Sequence, residues 1–364
     1  MTDLGMRALR GCFCCDLDSP SSSAPSRRGF MLGAGALALA TATAGGRAMA
    51  QATSETKPFR IDVHHHLSPP SYITASNEIG FGEGLMRSWT IEKSLADMDK
   101  AGTASAVLSV TTPAVNFTKG EAARRLCRES NEYSAKLVAD YPGRFGSFAM
   151  LPLTDVEGSL REIAYALDEL KADGIGLLTN YDGKYPGDPK FAPVFDELNR
   201  RGAVVYFHPT EAPCCHMHAI GVPAATLEFP FDTTKAVTNL LFSGTFARCR
   251  NIRFIFSHAG GTVPFLAERI ARLEARPEFR ASVPNGVMFE LKRLFFDTAL
   301  SANLLTFSAL LKLVAPEQVL FGSDYPFAPE STMIATIKGL SELGLTADVL
   351  QAIERTNAQR LLKG

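Results

Sequence analysis

Along the chain, short runs of β-branched and apolar residues alternate with longer segments whose apolar positions recur every three or four residues. A period of two marks a strand and a period of 3.6 marks a helix, so the alternation predicts repeated strand-then-helix units. Eight strands are expected, at 60–64, 104–110, 144–151, 174–179, 204–208, 254–258, 294–298 and 319–323. Helices are expected at 91–100, 120–140, 156–172, 191–201, 233–242, 264–273, 303–314 and 333–343. Thr90 and Asp155 stand where N-caps belong. Eight such units in about 310 residues suit a TIM-type (β/α)8 barrel with insertions; a doubly wound open sheet is the alternative, because alternation alone does not separate the two. No low-complexity linker interrupts residues 57–364, which read as one domain.

Residues 1–50 depart from this pattern. Ser26-Arg27-Arg28-Gly29-Phe30-Met31 precedes a run of small and apolar residues at 32–44, and Ala48-Met49-Ala50 has the A-x-A form of a signal-peptidase site. The run falls short of the roughly 20 strongly apolar residues that a spanning helix needs. The segment resembles a twin-arginine export signal cleaved before Gln51. That resemblance implies passage through the twin-arginine translocation machinery in a folded, metal-loaded state, and a periplasmic or secreted destination.

Composition narrows the function classes. With 364 residues, 46% of them hydrophobic, and a formal charge of −1, the chain has the balance of a soluble globular protein and none of the basic excess that nucleic acid demands. Cys12, Cys14 and Cys15 lie in the leader, and the spacing of Cys127, Cys214, Cys215 and Cys249 forms neither a disulfide framework nor a C-x-x-C metal site. Cys214 and Cys215, followed by His216 and His218, are a candidate loop for substrate contact.

The candidate chemistry lies at strand ends. His64, His65 and His66 end the first apolar run, and on a strand His64 and His66 share a face with Asp62 while His65 points away. Two convergent imidazoles are half of a divalent-metal site, although a histidine-rich turn has the same sequence. His208 closes the fifth strand, His258 the sixth, and Asp324 follows the eighth. In a barrel, functional side chains gather at the C-terminal ends of strands. All seven histidines fall in or beside three strand-end segments, which favours a site over scattered surface residues.

Taken together, Asp62-Val63-His64-His65-His66, Phe207-His208-Pro209, Ser257-His258-Ala259-Gly260-Gly261 and Phe321-Gly322-Ser323-Asp324-Tyr325-Pro326 resemble the amidohydrolase superfamily, in its aminocarboxymuconate-semialdehyde decarboxylase-like branch. Leu177-Leu178-Thr179-Asn180-Tyr181 and Glu228-Phe229-Pro230-Phe231-Asp232-Thr233-Thr234 are most similar to 6-methylsalicylate decarboxylase-type proteins. The resemblance implies that His64, His66, His208 and Asp324 hold one divalent metal ion, with His258 and Asp324 as catalytic acid/base groups. No lysine ends the fourth strand to bridge a second ion. Three imidazoles and a carboxylate suit zinc best and admit manganese.

Such a site has two uses. It can direct metal-bound hydroxide at a carbonyl, giving a mononuclear hydrolase of a lactone or similar ester. It can instead hold a carboxylate beside a hydroxyl while a proton reaches carbon and CO2 departs. The resemblance implies the latter, a non-oxidative decarboxylase of a small aromatic or unsaturated, salicylate-like carboxylic acid. Arginine grips a carboxylate with two parallel hydrogen bonds. By the same resemblance Arg269 matches an arginine that reaches a neighbouring subunit's site, which implies a homodimer; an exposed helix residue in an ordinary surface pair is the alternative. Arg87 is a looser candidate for substrate contact, and Phe229, Phe231 and Tyr325 are candidates to line an aromatic pocket. His65 is given no catalytic role.

Overall fold

The computed structural model describes residues 59–80, 84–214, 220–327 and 330–363. The leader, and Cys215, His216 and His218 of the candidate loop, lie outside them. The strands are β1 (Arg60–His66), β2 (Thr103–Ser109), β3 (Phe145–Met150), β4 (Gly174–Leu178), β5 (Val204–His208), β6 (Arg253–Phe256), β7 (Phe295–Asp297) and β8 (Val319–Leu320). Each pairs in parallel with the next, in the order β1 to β8. All eight expected strands are present.

Beyond β8 the chain runs on in extended form and meets β1. Val63 N donates to Phe321 O, Asp324 N to His64 O and His66 N to Tyr325 O, at 2.9, 2.9 and 2.7 Å. These bonds draw the last strand against the first, so the sheet is a barrel and the open-sheet alternative falls.

Helices α1 (Pro70–Glu78), α2 (Gly84–Arg87) and α3 (Ile91–Lys100) follow β1. They are succeeded by α4 (Gly120–Asp140), α5 (Val156–Ala164), α6 (Ala192–Arg200), α7 (Ala224–Phe242), α8 (Thr245–Arg248) and α9 (Val263–Ala271). Then come α10 (Pro277–Arg280), α11 (Val287–Leu291), α12 (Leu304–Leu313), α13 (Glu330–Glu342), α14 (Ala347–Gln351) and α15 (Asn357–Lys363). The Thr90 and Asp155 side chains accept from Lys93 N and Gly158 N, as N-caps do. Helix α7 begins nine residues earlier than expected, at Ala224 rather than Thr233, and carries Pro230 within it. The expected helix at 156–172 instead divides into α5 and a π-helical turn, Tyr165–Glu169.

Strand alternation divides the apolar residues into two layers. Val205, Phe207, Phe254 and Phe256 face the helices, whereas Val204, Tyr206 and Ile255 join Val63, Val107, Phe148 and Leu320 inside the barrel. Tyr206 stacks on Phe148 at 5.3 Å and meets the His64 ring edge-on at 5.5 Å. The filled interior is therefore the floor on which the strand-end residues stand.

Two expectations about strand ends need correction. Asp62 does not share the face of His64 and His66: between Asp62 and His65 the register against β2 slips by one residue, which turns Asp62 toward His65 instead. Nor does His258 close β6, which ends at Phe256. His258 lies in the turn beyond, at φ 54°, with its N–H taken by the Asp297 carboxylate rather than by a neighbouring strand.

Candidate metal and catalytic site

His64, His66, His208, His258 and Asp324 converge at the C-terminal mouth of the barrel. His64 Nε2 lies 3.0 Å from His66 Nε2 and 3.0 Å from Asp324 Oδ1, and His66 Nε2 lies 3.1 Å from the same oxygen. His208 Nε2 is 3.9 Å from Asp324 Oδ1, and His258 Nε2 is 3.2 Å from Asp324 Oδ2. One ligand atom each from His64, His208, His258 and Asp324 falls within 4.8 Å of the others.

The far sides of the rings explain this aim. His64 Nδ1 faces Asp297 Oδ2 at 2.9 Å, His66 Nδ1 faces Ser109 O at 3.2 Å, and His208 Nδ1 faces Pro209 O at 2.8 Å. With Nδ1–H donated outward to an acceptor, each ring turns the Nε2 lone pair inward. Donors about 2.1 Å from one ion sit about 3.0–3.4 Å apart, close to the spacings found here. The donor set therefore fits a divalent metal ion.

Electrostatics point the same way. Burial pushes His208 down to about 3 and also lowers His66, leaving both rings neutral and able to ligate. For His64 burial is again the largest influence and lowers the value, but Asp297 and then Asp324 outweigh it and raise the ring to about 10. Burial opposes the charge of Asp324 too, yet His64 and the other imidazoles hold it well below the usual carboxylate range. Without an ion, then, a positive charge is held on His64 between two carboxylates.

Asp297 is the residue that sequence reading missed. Completely buried at the end of β7, it meets His64 with one oxygen and accepts from His258 N, at 2.9 Å, and Ala299 N with the other. Its signal was a carboxylate closing an apolar strand, Phe295-Phe296-Asp297, close kin to the Asp324 that follows the eighth strand. Gly322 gives His64 and Asp297 room to meet, because a Cβ there would fall 2.8 Å from the His64 Cβ and 2.9 Å from the Asp297 Cβ.

Above the cluster opens a cavity of about 410 Å³. His208, His258 and Asp324 form its base, and Phe229, Phe327, Leu85 and Leu300 contribute apolar walls. A cavity of about 470 Å³ near Pro186 and Arg248 contains none of the five site residues, so its size gives it no claim to the chemistry. Of the aromatic candidates, Phe229 lines the mouth, whereas Phe231 is 45% exposed and outside the lining, and Tyr325 stacks behind β1 on His65. Arg87, on α2, and Arg269, on α9, are both exposed, and neither reaches the cavity of its own chain. No lysine or arginine lines the cavity among the described residues.

The sequence matches the family described as Amidohydrolase over residues 61–364. It is 38% identical over 321 residues to a decarboxylase of Aspergillus niger, covering 83% of this chain and 87% of that protein. A 6-methylsalicylic acid decarboxylase of Penicillium expansum is 34% identical over 318 residues, covering 84% of this chain and 97% of its own. A crystal structure of an amidohydrolase superposes with a TM-score of 0.78 at 30% identity, over 84% of this chain and 100% of that one.

Proposed function

Because the chain belongs to the amidohydrolase family, we propose that it is a metal-dependent, non-oxidative decarboxylase of a small, salicylate-like aromatic acid. The observation that carries this reading is the set of three outward-pinned imidazoles meeting Asp324 at the base of a cavity walled by Phe229 and Phe327. His64, His66, His208 and Asp324 would hold the ion, zinc in preference to manganese by ligand type. When bound, the ion supplies positive charge for the substrate's carboxylate and neighbouring hydroxyl oxygen.

The chain's own groups do the rest. Phe229 and Phe327 flank the ring and exclude water. His258 and Asp324, 3.2 Å apart, hold one proton between them and deliver it to the ring carbon that bears the carboxylate. That carbon becomes tetrahedral, its bond to the carboxylate breaks, and the electron pair returns to the ring as CO2 leaves. Proton uptake balances the carboxylate charge.

Among the described residues, no arginine lines the cavity to grip the substrate's carboxylate with two parallel hydrogen bonds. We assign that grip to Arg269 of a second copy, in a homodimer. Arg269 lies one turn from Phe265 on the same side of α9, and Phe265, Leu304 and Leu305 are 83%, 69% and 86% exposed. Export by the twin-arginine route with cleavage before Gln51, to the periplasm or medium, completes the proposal; the paired Arg27-Arg28 and the Ala48-Met49-Ala50 segment support it.

Incubating zinc- or manganese-loaded protein with salicylate-type acids should release CO2 and the corresponding phenol. Steady lactone hydrolysis with no CO2 from any acid would overturn the decarboxylase reading. Specific activity should fall on dilution in step with dimer dissociation, measured by light scattering. Paired Arg27→Lys and Arg28→Lys substitutions should retain the chain in the cytoplasm.

A further inference from the structure

His65, the middle of the three histidines, lies behind β1 with 1% of its surface exposed. Its Nδ1 is 3.1 Å from Asp62 Oδ2 and its Nε2 is 2.8 Å from Ser94 Oγ on α3. Tyr325 stacks on the ring at 4.4 Å, with 15° between planes. Carboxylate, imidazole and hydroxyl in that order are the parts of a nucleophilic triad. Ser94 is completely buried, however, and does not line the substrate cavity, so no substrate reaches it.

The remaining bonds of Asp62 give the cluster another role. Asp62 Oδ1 accepts from His64 N and from Ser323 N, both at 3.0 Å, and Oδ2 accepts from Ser323 Oγ at 2.5 Å. One buried carboxylate thus grips both sides of the junction between the first and last strands. Ser323 immediately precedes Asp324, whose φ of 63° is a left-handed conformation that a non-glycine residue keeps only where its surroundings hold it.

We propose that His65, backed by Ser94, is a positioning residue for the metal centre: it fixes Asp62, and Asp62 sets Asp324 against the His64–His66 pair. This rests on the metal reading above. The role is geometric. Without the His65 ring, Asp62 Oδ2 loses its tether to α3, the grip on Ser323 slackens, and the 3.0 Å spacing between His64 and Asp324 is no longer held.

The test compares the full chain with His65→Ala, His65→Asn and Ser94→Ala. Zn²⁺ affinity is measured by competition with a chromophoric chelator, and ligand geometry by the visible absorption of the Co²⁺-loaded protein. Loss of a group that orients metal ligands lowers affinity about 10–100-fold, and His65→Ala should fall in that range with a shifted Co²⁺ band. The Asn amide nitrogen stands near the position of Nδ1, so His65→Asn should recover most of the affinity. Ser94→Ala should weaken binding by about tenfold, at the lower edge of such effects.

Wild-type Zn²⁺ affinity and an unshifted Co²⁺ band in His65→Ala would overturn the inference, even if the variant melts earlier. Should His65→Ala fail to fold, unchanged affinity and spectrum in Ser94→Ala would overturn it instead. If the unsubstituted chain itself binds no Zn²⁺ or Co²⁺, the metal reading fails and this inference fails with it.

Discussion

Asp297 holds the His64 ring with one oxygen and the backbone of His258 with the other, so a change there reaches both halves of the candidate site. In Asp297→Asn the amide retains the volume but presents a donor to the His64 Nδ1–H or to the His258 N–H. Zn²⁺ affinity should drop about 10–100-fold, read by chelator competition. Gly322→Ala drives a methyl against His64 and Asp297 at the distances given by their Cβ atoms, 2.8 and 2.9 Å. Overpacking of this kind costs about 1–3 kcal/mol, visible as a lower urea midpoint, and should abolish turnover. The imidazoles also set a pH signature for protein stripped with chelator. His64 has its folded value raised from 6.5 to about 10, so its contribution is complete below 6.5 and is lost as pH rises through 10. His66 and His208 are lowered in the folded chain, so protons bind them more readily on unfolding, and stability falls as pH drops below about 6.5. Ion-free protein should therefore melt highest near pH 6.5–7 and lose stability on either side, while metal loading raises the melting temperature and flattens the alkaline fall.

At the scale of elements, helix α7 shows where sequence periodicity stops short. Pro230 argues for a helix that starts after it, yet α7 passes through from Ala224. Pro230 O accepts from Thr234 Oγ1 at 2.8 Å and packs against Gly261, whose φ of 64° and contact with that carbonyl leave no room for a side chain. Asp232, two residues on and 1% exposed, fastens the helix to the end of β4 by accepting from Thr179 Oγ1, from Asn180 Nδ2 and from Tyr185 OH. Asp232→Ala strands these donors and should cost about 2–4 kcal/mol in urea denaturation. The eight strands were legible because local apolar runs specify them, and both N-caps were legible because capping is a matter of three or four residues. His64, His66 and His208 were legible as strand-end polar residues, and His258 and Asp324 as polar residues close to a strand's end. The register slip at β1, the early end of β6 and the role of Asp297 were not, since each is decided by a partner more than 30 residues away.

For the whole molecule, the helix-facing layer settles the fate of two cysteines. Cys127 is fully buried and Cys249 nearly so, and burial raises both thiols, Cys127 well above its ordinary value. A thiol reagent should leave both unmodified in the native protein and label both in urea, as peptide mapping would record. The junction of first and last strands has a broader consequence, one of timing. His64 and His66 leave the ribosome near the start of the barrel, but Asp324 and the backbone groups that seat it come some 260 residues later. At a synthesis rate of about 5–20 residues per second, the histidine pair waits roughly 13–50 s for its carboxylate. A chain halted before β8 has the imidazoles without the anion that gathers them, so tight capture of the ion reports that the barrel is complete.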